Sequence, residues 1–444
     1  MEELIPNLRD QKVQGAVKNL LTYSLVILVV PLSSMFLLKM FFFEGLLGCT
    51  PNDSLTYSAI IAVILVDAHD DPVHLGFPVD LIPSELYRLK SHYLPVGKVG
   101  GRPAWLNPKT LPEASQLACK KCQKPMCFLA QVYANGPTDP EHAFHRTVYV
   151  FVCRDPNCNQ TNDASNFLVL RCNLPRANDF YGFDGPVDAD LEGDVADPRR
   201  PADAPKLCHV CGCSAKKRCA KCESVWYCAR DHQVVDWPSH KLTCGKAADD
   251  TSKEATNPEN SFLFKEYGLE IEREYVPATI FDGVSDDEND EDGEDSDDET
   301  EEDRQRRIKE FNQFVKENRG KNAELTKEEL EAAAGEEKKD VTFDKFNRLI
   351  QLNPDQVIRY KRFGEPLKST EAAPFPDVIP PCDKCGSPRR FELQLMPHLL
   401  SLIDVDSIEN SIDWASVYVF TCSSSCRLPD DGYSVEFACK QDFS

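Results

Sequence analysis

The sequence of 444 residues predicts an α+β fold, mostly β, in which two duplicated β half-domains form one split domain around a small inserted module. An acidic, disordered linker and an N-terminal transmembrane hairpin-like segment complete the prediction. Three observations carry it. Cys119-x2-Cys122, Pro125, Phe128 and Gln131 recur at a constant offset of 263 residues as Cys382-x2-Cys385, Pro388, Phe391 and Gln394. The run Val148-Tyr149-Val150-Phe151-Val152-Cys153 recurs as Val417-Tyr418-Val419-Phe420-Thr421-Cys422, followed by Cys158 in one half and Cys426 in the other. Between the two copies, Cys208 to Cys244, eight Cys and His residues stand at fixed intervals. A self-similar chain is built from repeated supersecondary units, and alternating β-branched and aromatic residues mark strands. The domains follow: a membrane segment over 1–70, an N-terminal half-domain over 74–200, the Cys/His module over 205–246, an acidic linker over 247–303, and a helical connector with the C-terminal half-domain over 304–444.

Leu20 to Phe43 is apolar for 24 residues apart from Pro31 and Lys39, long enough to span a bilayer. A second apolar run, Tyr57 to Val66, is only about ten residues and cannot cross as a helix. Phe41-Phe42-Phe43-Glu44-Gly45-Leu46-Leu47-Gly48, then Asp53-Ser54 and Tyr57 to Val63, resemble the small two-span endoplasmic-reticulum protein that assists assembly of the vacuolar proton ATPase, over residues 12–66. That resemblance implies membrane contact through residues 20–66. Two readings stand: the partial second span re-enters the membrane, or the first seventy residues were joined from a neighbouring gene; the second is favoured.

In each half the six-residue strand ends in a cysteine, followed by a turn and a second cysteine, facing a Cys-x2-Cys knuckle. This is the ligand pattern of a zinc ribbon. It makes Cys119, Cys122, Cys153 and Cys158 one candidate zinc set, and Cys382, Cys385, Cys422 and Cys426 its duplicate. The alternative is that these are reduced core thiols.

The inserted module reads Cys208-x2-Cys211, Cys219-x2-Cys222, Cys228-x3-His232, His240-x3-Cys244. Thiolate and imidazole are the donors zinc prefers, and closed sites without a water position are structural. Eight ligands within 37 residues leave little room for an apolar core, so the metals must supply the folding free energy. With Trp226-Tyr227 and Asp236-Trp237 at their places, the module resembles the MYND finger. In that family the pairs interleave, which implies Cys208, Cys211, Cys228 and His232 on one zinc and Cys219, Cys222, His240 and Cys244 on the other. Cys213 is then a spare thiol, and Trp237 is expected in the finger's small core.

The formal charge of −23 is concentrated: residues 286–303 hold 14 carboxylates and no Lys or Arg. Such a run stays solvated. The 19 cysteines suit a reducing compartment, cytosolic or nuclear. Beyond the linker, Ile308, Phe311, Phe314 and Val315 share one helical face, Thr326 and Glu329 form a capping box, and Asn353-Pro354 is expected to open a helix through Val357, Ile358 and Tyr360.

Gly97 to Leu106, Phe144-His145-Arg146, Asn173 to Tyr181, Tyr360 to Leu367 and Ser411 to Trp414, with the finger between them, make residues 74–444 similar to the programmed cell death protein 2 family. Lys368 departs from the aromatic or apolar residue expected there. The resemblance implies a dedicated chaperone for a newly made small-subunit ribosomal protein, with a client groove expected between the halves near Asn178–Tyr181 and Ile412–Trp414. The competing class is an adaptor whose finger docks proline-containing peptides. Direct nucleic-acid binding is not expected. Neither is enzymatic activity: Gly97–Gly101 lacks the Lys-Ser/Thr of a phosphate loop, and no Gly-x-Ser-x-Gly elbow occurs.

Overall fold

The computed structural model describes residues 72–89, 97–137, 139–184, 200–245, 261–281, 340–405 and 411–443. The membrane-segment, acidic-run, 308–315 and capping-box expectations lie outside these residues. Among the described residues no helix is long and apolar enough to cross a membrane.

Twelve strands follow in chain order: β1 His74–Val79, β2 Lys98–Val99, β3 Cys127–Tyr133, β4 His145–Val152, β5 Phe167–Leu174, β6 Lys217–Arg218, β7 Trp226–Tyr227, β8 Tyr267–Arg273, β9 Ile358–Tyr360, β10 Arg389–Leu395, β11 Ser416–Cys422 and β12 Tyr433–Gln441. Ten of them close into an antiparallel barrel in the order β1-β8-β2-β3-β4-β5-β12-β11-β10-β9. Each half supplies one four-strand meander, β2 to β5 and β9 to β12. The halves meet directly where Tyr433 to Glu436 pair with Cys172 to Val169, and through β1 and β8 on the other side. The expected groove between the halves is therefore absent at these seams, because backbone hydrogen bonds seal both.

Period-two alternation sorts the strand residues. Val148, Val150, Val169, Leu393, Leu395, Val417 and Val419 form one core with residues from both halves, inside the barrel. Tyr149, Phe151, Leu168 and Leu170 face outward under Trp105, Leu106 and the finger's Val210. Phe391, Tyr418 and Phe420 do the same in the second half, covered by Phe375 and Ile379. Trp414 packs edge-on against Phe167 at 5.6 Å and is buried with Ile412 in the interior core, while Tyr181 is buried outside it. None of these three offers the client a surface.

The duplication extends to hydrogen bonds. Gln131 Oε1 accepts from Ala104 N at 2.9 Å, and Gln394 Oε1 accepts from Leu367 N at 2.9 Å. Tyr149 Oη accepts from Leu106 N at 2.8 Å, and Tyr418 Oη from Ser369 N at 3.0 Å. The repeated Gln and Tyr thus pin the loop that covers each meander, by satisfying backbone donors that burial would leave without water.

One end of the barrel interior is ionic. Arg146 meets Glu392 bidentately, with Nη2 to Oε2 at 2.7 Å, and both side chains are fully buried. Glu436 accepts from Arg171 Nε at 2.7 Å and Arg389 Nε at 2.8 Å. Arg146 and Arg171 come from the first half, Glu392 and Glu436 from the second, so these pairs cross between the halves.

Two expectations are corrected. Asn353 caps the C-terminus of a helix, Val341–Leu352, whose N-cap is Asp340, and Ile358–Tyr360 is strand β9. Val357 and Ile358 fill the barrel core, where a β-branched pair fits a pleated strand better than a helix. Residues 261–281, assigned to the linker by composition, contain β8. Its Tyr267 and Leu269 turn to the core while Glu270 and Glu272 are exposed, a period-two signal hidden by its acidic residues.

Gly100 shows how tightly β8 is held. Its φ is +66°, and a Cβ there would stand 1.9 Å from the Lys265 carbonyl oxygen. Only glycine allows this approach.

Candidate metal centres

Four sets of side chains converge, each with all ligand atoms within 4.8 Å of one another: Cys119, Cys122, Cys153 and Cys158; Cys208, Cys211, Cys228 and His232; Cys219, Cys222, His240 and Cys244; Cys382, Cys385, Cys422 and Cys426. All sixteen ligands expected from sequence are brought together in the expected groups.

The distances separate a disulfide from a metal site. Sulfur pairs stand at 3.6 Å for Cys122 and Cys153, 3.6 Å for Cys211 and Cys228, 3.8 Å for Cys219 and Cys244, 3.8 Å for Cys382 and Cys426, and 3.5 Å for Cys385 and Cys422. A disulfide needs about 2.05 Å. A tetrahedron with zinc–sulfur bonds of about 2.3 Å puts its sulfurs about 3.8 Å apart. Thiolates at such spacing repel unless a cation lies between them, so donor chemistry and geometry both fit zinc. His232 faces the first finger set through Nδ1, 3.1 Å from Cys228 Sγ, and His240 faces the second through Nε2, 3.5 Å from Cys222 Sγ.

All four knuckles share a turn that the spacing alone does not specify. The residue after the second cysteine is left-handed: Gln123 at φ 60°, Gly212 at 71°, Glu223 at 55° and Gly386 at 75°. Its N–H bonds to the carbonyl of the first cysteine at 2.8 to 2.9 Å in each case. Glycine takes this conformation without strain, and it stands at two of the four positions.

Strand ends place the other ligands. Cys153 follows β4, and Cys158 sits in a short 3-10 turn, Pro156–Cys158, whose preceding Asp155 accepts from Asn157 N. Cys422 ends β11. In the finger, the hairpin of β6 and β7 leads into α1, Arg230–Thr243, which carries His232 and His240 on buried positions. Tyr227 fills the finger's core and donates its hydroxyl to Asp236 at 2.6 Å. Trp237, expected in that core, is instead 43% exposed, and Val234 and Leu242 lie exposed on the same helix. Tyr227 already occupies the available volume.

The thiols divide by environment. A side-chain hydrogen bond from Ser387, foremost, draws the exposed Cys385 down to about 6. Cys127, Cys172 and Cys439, outside every set, are pushed up to about 12 by burial and act as small core residues. Cys213 is likewise buried, its thiol 3.7 Å from the Cys211 carbonyl.

The finger is clamped to the barrel. Arg102 Nε donates to Val210 O at 3.1 Å and its guanidinium reaches His209 O; Trp105 Nε1 donates to Gly212 O at 2.8 Å. A Cβ on Gly212 would meet Arg102 Cβ at 2.9 Å. The Arg102–Trp105 segment, conspicuous in the sequence without a role, is thus the finger's socket.

A duplicated β-barrel, with a four-cysteine cluster at the knuckle of each half and a docked finger bearing two more Cys/His clusters, defines a class of protein whose four donor sets all suit zinc. Profiles of the programmed cell death protein 2 N-terminal domain, the MYND finger and the programmed cell death protein 2 C-terminal putative domain match residues 72–188, 208–244 and 340–442. The chain is 39% identical over 379 residues to programmed cell death protein 2 of Bos taurus, covering 84% of this chain and 97% of that one. It belongs to the programmed cell death protein 2 family. A VMA21-like domain profile matches residues 15–68, and the vacuolar ATPase assembly integral membrane protein VMA21 homolog of Caenorhabditis elegans is 79% identical over 66 residues, 15% of this chain and 65% of that one. The probable 20S rRNA accumulation protein 4 of Schizosaccharomyces pombe is 35% identical over 111 residues, 22% of this chain and 27% of that one. No solved structure matches.

Proposed function

We propose that the chain is a non-enzymatic, zinc-stapled chaperone that captures a newly made protein of the small ribosomal subunit for ribosome assembly, with zinc in all four clusters. The relative named for 20S rRNA accumulation supports the ribosomal setting. The observation that carries the reading is the pair of exposed carboxylates, Glu270 and Glu272, on the outside of a barrel with a filled interior. The client must then be held outside, and Glu270 and Glu272 stand exposed on β8 beside exposed Ile271, Arg273 and Tyr275, with the acidic run beginning 14 residues after Glu272 in the sequence. A ribosomal protein is basic before it meets RNA, and such a surface screens its charge while covering apolar groups.

Affinity purification of translating ribosomes through the tagged chain tests this. One small-subunit ribosomal protein is expected to be enriched, and Glu270→Lys with Glu272→Lys is expected to cut the enrichment severalfold. No enrichment of any such protein overturns the proposal. The adaptor reading is favoured by one observation, the exposed Val234, Trp237 and Leu242 on α1. In that case Trp237→Ala abolishes partner capture while the β8 variant leaves it intact.

For residues 15–68 the match supports a place at the endoplasmic-reticulum membrane, where the segment is translated with the rest. We read it as joined to the barrel from a separate gene. Mapping the start of the native product distinguishes the cases: a start near residue 70 is expected, and a membrane-borne product retaining residues 15–68 contradicts it.

A further inference from the structure

Each half of the barrel grips the metal loop of the other. On the loop between Cys422 and Cys426, first-half Asn173 Nδ2 donates to Ser425 O at 3.0 Å and Cys426 O at 3.3 Å. Arg171 reaches the same loop, with Nη1 3.4 Å from Cys426 O and Nη2 3.6 Å from Cys426 Sγ. On the loop after Cys158, second-half Lys440 Nζ donates to Asn159 Oδ1 at 2.9 Å. Asp442 and Asn162 exchange a reciprocal pair: Asn162 N to Asp442 Oδ2 at 2.6 Å, and Asp442 N to Asn162 Oδ1 at 2.8 Å. The two grips occupy the same place in the duplication. Asn173 and Lys440 each follow a core cysteine, Cys172 and Cys439, and each is the penultimate residue of its strand, β5 or β12.

The consequence is thermodynamic. Both gripped loops adjoin a cluster: Ser425, left-handed at φ 41°, lies between Cys422 and Cys426, and Asn162, left-handed at φ 55°, lies four residues after Cys158 in the turn closed by the Gln160–Asp163 bridge, conformations that cost free energy unless the surroundings impose them. A metal that shapes one loop presents its carbonyls or side chains to the opposite half. A shaped loop in turn holds the facing strand, whose own half carries the other cluster. Between the grips lies the β5–β12 seam, where the barrel closes.

We infer that zinc loading of the two four-cysteine clusters is positively coupled through this crossed grip, so that the barrel closes with both sites filled or opens with both emptied. The inference rests on the reading that these clusters hold zinc. It assigns Asn173, Lys440 and Asp442 as coupling residues although none is a ligand. Reciprocity is required: whatever one site gains from its partner's occupancy, the partner gains equally.

The test uses the full chain in mild detergent, stripped of metal under reducing conditions and titrated with zinc, with each zinc-bound species counted by native mass spectrometry. Once the finger's two sites fill, the three-zinc species is expected to be scarce relative to two and four. Competition with a chromophoric chelator is expected to show zinc affinity of the first-half cluster falling at least about fivefold in Cys422→Ser with Cys426→Ser, the lower end of ordinary coupling. Asn173→Ala with Lys440→Ala, which removes no ligand, is expected to bring the coupling toward one and make the three-zinc species abundant. A wild-type chain that takes four zincs independently overturns the coupling alone. A chain that takes only two overturns the four-zinc reading and the coupling with it.

Discussion

Removing zinc from the finger is expected to unfold residues 206–245 outright. Each structural site contributes on the order of 10–16 kcal/mol of apparent binding free energy at neutral pH, and the module has little else to hold it. Its hairpin has two residues per strand, and Tyr227 is the one large side chain fully buried within it. Cys219→Ser, which opens the site shared with Cys222, His240 and Cys244, should leave the α1 amides exchanging freely with solvent. The barrel strands should remain protected, because the socket residues Arg102 and Trp105 belong to the first half. Hydrogen exchange read by mass spectrometry checks both parts. Persistence of α1 protection in the variant would show that packing against the barrel, not metal, folds the finger.

Glu392→Gln is expected to destabilise the barrel by about 3–5 kcal/mol, measured by urea denaturation, since it strands Arg146 as an uncompensated charge in a fully buried place. Replacing both, Arg146→Met with Glu392→Leu, should recover most of the loss, because apolar residues of similar volume pack there without a desolvation penalty. Acid adds an independent check. Burial by itself raises the Glu392 pKa, but the Arg146 charge and its hydrogen bonds outweigh that and hold it below the ordinary value. A carboxylate depressed on folding contributes stability that is complete above its unfolded pKa, near 4.3, and is lost as pH falls toward the folded value. The wild-type barrel should therefore lose stability below about pH 4, and the doubly apolar variant should lose less over that interval.

The candidate metal ligands were the most legible part of this chain. Cys-x2-Cys spacing is local chemistry, and all sixteen candidate ligands converge in the groups expected, those of the finger as the MYND resemblance implied. The repeat was legible for the same reason, since Gln131 and Gln394 stand at a fixed offset and each accepts the N–H of its covering loop. Tertiary choices were less so. Val357 and Ile358 fit a helical reading until β1 and β10 are there to pair with them. Strand β8 reads as linker, because Glu270 and Glu272 are acidic and exposed, Ile271 is exposed as well, and only Tyr267 and Leu269 turn to the core to declare it. Closure of the barrel through β5 and β12 depends on residues more than 250 positions apart, and no short-range pattern records that pairing.

That pairing sets a schedule for the protein's own birth. Strand β5 ends at Leu174 and waits for β12, which begins at Tyr433. At 5–20 residues per second the ribosome needs roughly 15–50 s to make the intervening chain. Throughout that interval the first half offers an unsatisfied strand edge, the kind of surface on which chains aggregate. The finger, complete by Cys244, docks early on the outer face but leaves this edge open. A protein proposed to shield another during translation thus passes through a long unshielded stage of its own.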